Sequence, residues 1–239
     1  MQALILAGGK GTRLRPYTTV LPKPLMPVCN YPILEIIIRQ LKYAGVQEII
    51  LAVSYMSHLF QAFFQDGSRY GLKIHYSLEE KALGTAGPIA LALDRLEDDF
   101  LVMNGDLLTT LNYRNLYSFH QERGGAATIG LFPREVKIDF GVIEKGTDQR
   151  LKEYTEKPVY HFTVSMGINA FKKNVVRAIL EPGKSIDIPD LILRIKDAGL
   201  PVYCYSENCQ WLDIGRMDDY QQAVEMFESK PEDFLPHME

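Results

Sequence analysis

The sequence predicts an α/β domain of three layers, αβα, in which helices cover both faces of a mostly parallel central sheet and antiparallel strands extend that sheet. Three features carry this prediction. Short apolar runs alternate with helical stripes through the first half of the chain, the pattern of a parallel sheet covered on both sides. A glycine-rich loop follows the first apolar run at once. The second half changes to closely spaced strand-like runs with little helix between them.

The elements follow in order. Ala3–Ala7 is a short apolar strand. Ile33, Leu34, Ile37, Ile38 and Leu41 recur at helical spacing, with Pro32 near the first turn and Gly45 as the stop. Glu48–Ser54 reads as a buried strand, Leu59, Phe60, Phe63 and Phe64 as a helical stripe, and Leu72–Ser77 as a strand. Ile89–Leu96 reads as a helix and Phe100–Met103 as a strand. Ala126–Phe132, Gly141–Glu144, Arg150–Glu156 and Val164–Phe171 are strands separated by turn residues, added to the sheet or packed on it. Helical stripes return at Ile188, Leu191, Ile192 and Ile195, with Asp187 as N-cap, and at Tyr220, Ala223, Val224 and Phe227. The segment after Lys230 reads as a loose tail.

Composition excludes several function classes. At 239 residues the chain buries enough surface to fold without staples, and it reads as one domain. Apolar residues at 46% and charged residues at 23% exclude disorder as the dominant state. Lys and Arg number 26 against 30 Asp and Glu, a net charge of −4 with no long basic run, which argues against a nucleic-acid binder. No apolar stretch approaches the roughly 20 residues of a membrane span, and no signal peptide is visible, so a cytoplasmic location away from membranes is expected. Cys29, Cys204 and Cys209 have neither metal-site spacing nor an even count, and read as free thiols of a reducing compartment.

The loop Ala7-Gly8-Gly9-Lys10-Gly11-Thr12-Arg13 carries the chemistry. Three glycines in four positions let the backbone approach a ligand and turn its N–H groups toward it. Lys10, Arg13, Arg15 and Lys23 concentrate positive charge in an acidic chain, which fits a seat for a polyanion. The Gly-Lys-Ser/Thr ending of a Walker loop is absent, and so is the third glycine of the dinucleotide fingerprint.

Gly8-Gly9-Lys10-Gly11-Thr12-Arg13-Leu14-Arg15-Pro16 followed by Leu21-Pro22-Lys23-Pro24-Leu25 resembles the signature of the sugar-1-phosphate nucleotidyltransferases, the nucleotide-sugar pyrophosphorylases. The resemblance implies a Rossmann-like fold of the nucleotide-diphospho-sugar transferase type. It also implies an NTP-binding half over residues 1–110 and a sugar-phosphate half over residues 111–230. The glycine loop (Ala7, Gly8, Gly9, Gly11, Thr12) would wrap the triphosphate, and Arg13 and Lys23 would bind its phosphates. Fixed cations at that point stabilise a leaving pyrophosphate.

Asn104 and Asp106, in Met103-Asn104-Gly105-Asp106, lie at the carboxyl end of a predicted parallel strand, where open α/β sheets bind ligands. A carboxylate facing a triphosphate requires a cation between them, and Mg²⁺ suits one or two carboxylates plus substrate oxygens. Asp213, in Trp211-Leu212-Asp213-Ile214-Gly215, is the second candidate ligand. By the same resemblance Lys157 of Glu156-Lys157-Pro158 holds the sugar phosphate, a task suited to a point charge on a long stem. Glu156, Gly141, Ser165 and Gly167 would line the sugar, with Ser165 where the family often has Asn. The base would be read at Gly84 and Thr85, with Glu80 as a further candidate.

Ile50–Ser57 and Leu83-Gly84-Thr85-Ala86-Gly87-Pro88 are most similar to the GDP-mannose pyrophosphorylases, which points to GTP with mannose 1-phosphate or a related sugar such as a heptose 1-phosphate. That group usually carries a C-terminal β-helix of hexapeptide repeats, so the resemblance covers its catalytic domain. Small members of the family are often oligomeric, which implies a homo-oligomer. The implied reaction is in-line attack of an already ionised sugar phosphate on the α-phosphorus, needing no strong general base. No Ser-His-Asp or Cys-His arrangement stands out, and His120 and His161 read as structural or surface residues. A thymidylyl-, uridylyl- or cytidylyltransferase of the same fold, acting on glucose 1-phosphate or another phosphorylated alcohol, would share the loop and both aspartates. A catalytically silent sensor of nucleotide sugars would need neither aspartate.

Overall fold

In the computed structural model, which describes residues 1–235, the chain enters the sheet through β1 (Gln2–Leu6). Three short 3₁₀ turns and a pair of two-residue strands, β2 (Pro27–Val28) and β3 (Tyr31–Pro32), lead to α1 (Ile33–Ala44), which Gly45 ends in the left-handed conformation at φ 98°. Next come β4 (Glu48–Val53), α2 (Ser57–Phe64), β5 (Lys73–Leu78), α3 (Gly87–Ala92), β6 (Asp99–Asn104), β7 (Leu107–Thr109) and α4 (Tyr113–Arg123). The second half contains β8 (Ala127–Lys137), β9 (Val142–Lys145), β10 (Leu151–Thr155) and β11 (Val159–Lys172). It closes with α5 (Lys173–Ile179), α6 (Ile188–Asp197), β12 (Val202–Tyr205), β13 (Trp211–Asp213), α7 (Met217–Ser229) and α8 (Pro231–Phe234).

The central sheet has seven strands in the order β12-β8-β11-β6-β1-β4-β5. Every neighbouring pair is parallel except those made by β11, which runs antiparallel to both β6 and β8. The mostly parallel α/β sheet with an antiparallel extension is therefore present, and one strand supplies the antiparallel pairing within it. One face of the sheet packs on a core that includes Ile37, Leu41, Phe60, Leu116 and Phe227, and the other on Ile89, Val176, Leu191 and Ile195. Helices cover both faces because the inner strands are apolar on both, Ala3, Leu4 and Ile5 being fully buried.

Four details differ from the sequence expectation. Gly141–Glu144 and Arg150–Glu156 supply a separate two-stranded hairpin, β9–β10, outside the main sheet. Ala126–Phe132 and Val164–Phe171 are the inner parts of much longer strands, whose outer residues have no buried face to reveal them. Predicted helix Ile89–Leu96 is α3 followed by a 3₁₀ turn at Leu93–Arg95. Tail residues up to 235 are not loose: α8 seats Phe234, fully buried and 5.9 Å from the Phe227 ring, and the Phe234 carbonyl accepts a bond from Gln40 Nε2 at 2.8 Å. The tail expectation for residues 236–239 lies outside the described residues.

His120 on α4 is the one imidazole enclosed in the described core, 1% exposed, with Nδ1 2.8 Å from Thr128 Oγ1 and Nε2 3.5 Å from Asp99 Oδ1. Burial pushes its pKa down, and Asp99 offsets only part of that. The neutral ring is thus favoured in the folded chain, while an unfolded histidine takes a proton below about pH 6.5. The unfolded state then binds more protons, so stability falls as pH drops through that value, by up to about 1.4 kcal/mol per pH unit. Urea unfolding of wild type and His120→Gln between pH 7.5 and 5 checks this: the variant is expected to lose that part of the slope.

Candidate active site

The site lies along the carboxyl edge of the parallel strands. Leu6 at the end of β1 pairs with Asn104 at the end of β6 and with Ala52 of β4, and the Ala7 N–H donates to the Ala52 carbonyl at 2.8 Å. The glycine loop therefore leaves the centre of the sheet. Gly11 turns back at φ 58°, and a Cβ there would meet Thr18 Cγ2 at 3.0 Å and Lys23 Cβ at 3.1 Å. Thr18 Oγ1 donates to the Gly11 carbonyl at 2.7 Å. The loop is thus folded down onto Lys23.

Lys23 is 7% exposed, and its ammonium bonds Asp106 Oδ2 and lies 3.9 Å from Asp213 Oδ1. The two carboxylates that the motifs single out meet at one buried lysine. A small ladder holds them in register: β13 pairs with β7, and the Ile214 N–H donates to the Asp106 carbonyl at 3.2 Å. Burial raises the Asp213 pKa, the Asp106 charge raises it further, and Lys23 and Arg13 offset part of the rise. One ammonium does not fully neutralise two carboxylates. Arg13 approaches from the loop, its Nη1 3.4 Å from where a Cβ on Gly215 would stand. Thr12, beside it, is exposed.

The remaining candidates form separate groups. Gly167 sits at φ 72° in the irregularity between Ser165 and Asn169 of β11, and a Cβ there would meet Asn104 Nδ2 at 2.6 Å. Its N–H faces Ser165 Oγ at 3.4 Å. Gly141 and Glu156 meet around Tyr154, whose hydroxyl donates to Glu156 Oε2 at 3.1 Å. Lys157 follows in an exposed left-handed turn at φ 45°, and among the described residues no ion pair ties it to the carboxylate pair. Gly84, at φ 72°, packs on the Ile186 carbonyl, so a side chain there would clash with that carbonyl and with the Asp187 carboxylate. The Thr85 hydroxyl donates to Asp187 Oδ1 at 3.1 Å and accepts from the Ile188 N–H at 2.8 Å. Asp187 is the N-cap residue of α6 as expected, but its side chain makes no capping bond, and the Thr85 hydroxyl serves the first helical N–H instead. Glu80 is exposed.

Three contributors escaped the sequence reading. Glu79 stands against Gly8, its Oε1 3.0 Å from a Cβ placed there, and burial raises its pKa. Asp219, which reads as a solvated residue of a helix start, accepts from the N–H groups of Gly215 at 3.1 Å and Arg216 at 2.7 Å, fixing the turn after Asp213. Trp211 Nε1 donates to the Met166 carbonyl at 2.9 Å and its ring lies 5.4 Å from Phe132, tying the Asp213 strand to the Gly167 irregularity. An Asp at the third helical position was the only local signal for any of these.

Gly9 gives a sharp test of the loop. A Cβ at Gly9 meets nothing within 4 Å, so the fold itself does not need glycine there. Gly9→Ala is expected to leave stability within about 0.5 kcal/mol while raising the KM for a nucleotide at least about tenfold. Gly11→Ala, strained in the left-handed region and crowded by Lys23, should destabilise by about 1–2 kcal/mol. Urea unfolding beside nucleotide titration separates the two.

The sequence profile described as Nucleotidyl transferase matches residues 2–230. A UTP–glucose-1-phosphate uridylyltransferase of Synechocystis sp. is 34% identical over 94% of this chain and 62% of its own length. The catalytic subunit beta of a mannose-1-phosphate guanylyltransferase of Danio rerio is 36% identical over 95% of this chain and 64% of its own length. The chain thus spans somewhat under two thirds of the length of these curated relatives. A solved structure from Bacillus anthracis, named as a glucose-1-phosphate thymidylyltransferase, superposes with a TM-score of 0.76 at 26% identity, covering 95% of this chain and 94% of that one. With nearly its whole length matched, and with the loop and paired aspartates assembled at one sheet edge, the chain belongs to the nucleotidyl transferase family, among the sugar-1-phosphate nucleotidyltransferases that its motifs resemble.

Proposed function

We propose that the chain transfers a nucleotidyl group from an NTP to a sugar 1-phosphate and releases pyrophosphate, with GTP and mannose 1-phosphate or a related sugar such as a heptose 1-phosphate as its pair. The observation that supports this most is the meeting of Lys23, Arg13, Asp106 and Asp213 beside a glycine loop at the carboxyl edge. Residues Ala7, Gly8, Gly9, Gly11 and Thr12 offer backbone to the triphosphate, while Arg13 and Lys23 meet its charge. Lys157, with Glu156, Gly141, Ser165 and Gly167, receives the sugar phosphate. An ionised phosphate oxygen already carries the nucleophilic electron pair, so positioning and charge neutralisation supply the rate.

Asp106 and Asp213 fit a hard divalent cation. They are two oxygen donors with negative charge in excess of the one ammonium between them, and Mg²⁺ takes one or two carboxylates together with substrate phosphates. Bound there, Mg²⁺ would neutralise charge on the triphosphate and on the departing pyrophosphate. Asp106→Asn and Asp213→Asn keep the shape and remove one charged contact each. Each is expected to lower kcat about 10²-fold or more at saturating Mg²⁺, and a variant with wild-type kcat removes that residue from the ligand set. Lys157→Ala should raise the KM for the sugar phosphate more than that for the NTP, and Lys23→Ala should weaken use of the NTP. Equal effects of Lys157→Ala on both substrates would make it structural.

Guanine is favoured by Glu79. Among the described residues no cation pairs with its half-buried carboxylate, which meets only the Leu83 backbone, and guanine presents two adjacent donors, N1–H and the 2-amino group, where uracil or thymine presents one. A uridylyl or thymidylyl reading rests on the Synechocystis relative and the Bacillus anthracis neighbour. An unpaired buried group costs about 1–3 kcal/mol, so GTP should be used at least about tenfold better than UTP, dTTP, CTP or ATP. A matrix of these NTPs against sugar 1-phosphates with Mg²⁺, scored by product mass, decides. A preference for UTP or dTTP overturns guanine alone. No turnover with any pair, together with tight nucleotide-sugar binding, overturns the enzyme.

A further inference from the structure

Residues 83–87, the segment where the motif would read the base, enter α3 in the grip of residues 186–188. The Ile186 carbonyl accepts from the N–H groups of Ala86 at 2.9 Å and Gly87 at 3.2 Å, and the Ile186 N–H donates to the Leu83 carbonyl at 3.0 Å. Asp187 completes the clamp. Its Oδ1 accepts from the Thr85 N–H at 2.9 Å and from the Thr85 hydroxyl at 3.1 Å, across 102 residues of chain. The Thr85 hydroxyl accepts in turn from the Ile188 N–H. Two side chains thus exchange duties: Thr85 serves the first turn of α6, and Asp187 serves the segment that leads into α3.

The clamp bears on Glu79 through Leu83. The Leu83 backbone meets the Glu79 carboxylate, which stands against Gly8 of the glycine loop. Asp187 therefore lies at one end of a chain of contacts that runs through Thr85 and Leu83 to Glu79 and finishes beside the loop. Neither Asp187 nor Thr85 supports the core, since both are exposed, while α6 packs through Ile188, Leu191 and Ile195. The fit is close: a Cβ on Gly84 would stand 2.5 Å from the Ile186 carbonyl and 2.8 Å from Asp187 Oδ1. An aspartate that holds a loop this closely without holding the fold is placed for positioning.

We infer that Asp187 is a positioning residue for the nucleotide base: its carboxylate fixes Thr85, so that residues 83–87 and the Glu79 carboxylate stand in place before the base arrives. The inference rests on the proposed function, in which Glu79 reads the base. A seat organised in advance spares the ligand the cost of ordering it, and a seat formed only part of the time lowers apparent affinity by that fraction. Asp187 needs no contact with the nucleotide in this role. Its loss therefore falls on the base, while the phosphates would still meet the glycine loop, Arg13 and Lys23.

Calorimetric titration of the full chain with GTP and, separately, with inorganic triphosphate, both with Mg²⁺, tests the assignment without turnover. Asp187→Ala is expected to weaken GTP binding about fivefold, to leave triphosphate affinity unchanged and to keep the urea midpoint of wild type. Asp187→Asn retains an oxygen acceptor for Thr85 and should stay within about twofold of wild type. Affinities for GTP and triphosphate that fall together make Asp187 merely structural and overturn the inference. So does a GTP affinity that Asp187→Ala leaves unchanged, or an Asp187→Asn variant as weak as Asp187→Ala. UTP titrated alongside separates the base from the clamp: tighter binding of UTP than of GTP overturns guanine alone, and the loss in Asp187→Ala is then read on UTP. A wild type that binds neither nucleotide more tightly than triphosphate overturns the base reading, and the role of Asp187 with it.

Discussion

A buried ammonium between two carboxylates organises this molecule's functional edge. Lys23 is almost enclosed, and a lysine in that position is tolerated only with a charged partner. Asp106 supplies the bond, Asp213 the second charge, and the glycine loop can close only because Gly11 carries no side chain against Lys23. Removing one member would leave the others with uncompensated charge, a loss of about 3–5 kcal/mol for a fully buried pair and less here, where Asp213 is half exposed to water. The cluster thus joins the loop after β1, the turn after β6 and the strand before α7, parts of the chain far apart in sequence.

Topology explains why those parts meet. β1 and β6 are adjacent parallel strands at the centre of the sheet, so the loops leaving their carboxyl ends face each other. The β7–β13 ladder then brings the chain back from its last third to the same edge, and Asp219 fixes the turn beyond it. Trp211 extends the connection to β11, whose irregularity at Gly167 leaves room for the Asn104 side chain. The β7–β13 ladder and the antiparallel strand β11 together thus tie the later part of the chain to the centre of the sheet.

What the sequence made legible was local. Glycines, prolines and cations packed into Gly8–Leu25 declare a loop and its charge without any knowledge of the fold, and the apolar runs of β1, β4 and β6 declare a covered parallel sheet. What remained hidden depended on register or distance. Glu79 and Glu80 are indistinguishable as letters, and only the exit from β5, where the Glu79 N–H donates to the Val53 carbonyl at 2.9 Å, turns the first toward Gly8. Asp219 looks like any acidic residue at a helix start until the turn at Gly215–Arg216 gives it donors. The outer ribbon of β8 and β11 was missed because neither of its faces is buried by its own chain, so no alternation against a core marks it. Thr85, read from the family pattern as a contact for the base, is spent on the start of α6, a long-range cap that no local spacing announces.

The proposed cation seat of Asp106 and Asp213 is one whose charge Lys23 only partly offsets in the nucleotide-free protein. Titration of the nucleotide-free chain with Mn²⁺, followed by electron paramagnetic resonance for wild type and for Lys23→Met, tests it directly. Removing the competing ammonium from two carboxylates should tighten Mn²⁺ binding at least about tenfold. Affinity for Mn²⁺ that is unchanged or weaker in folded Lys23→Met would contradict the account.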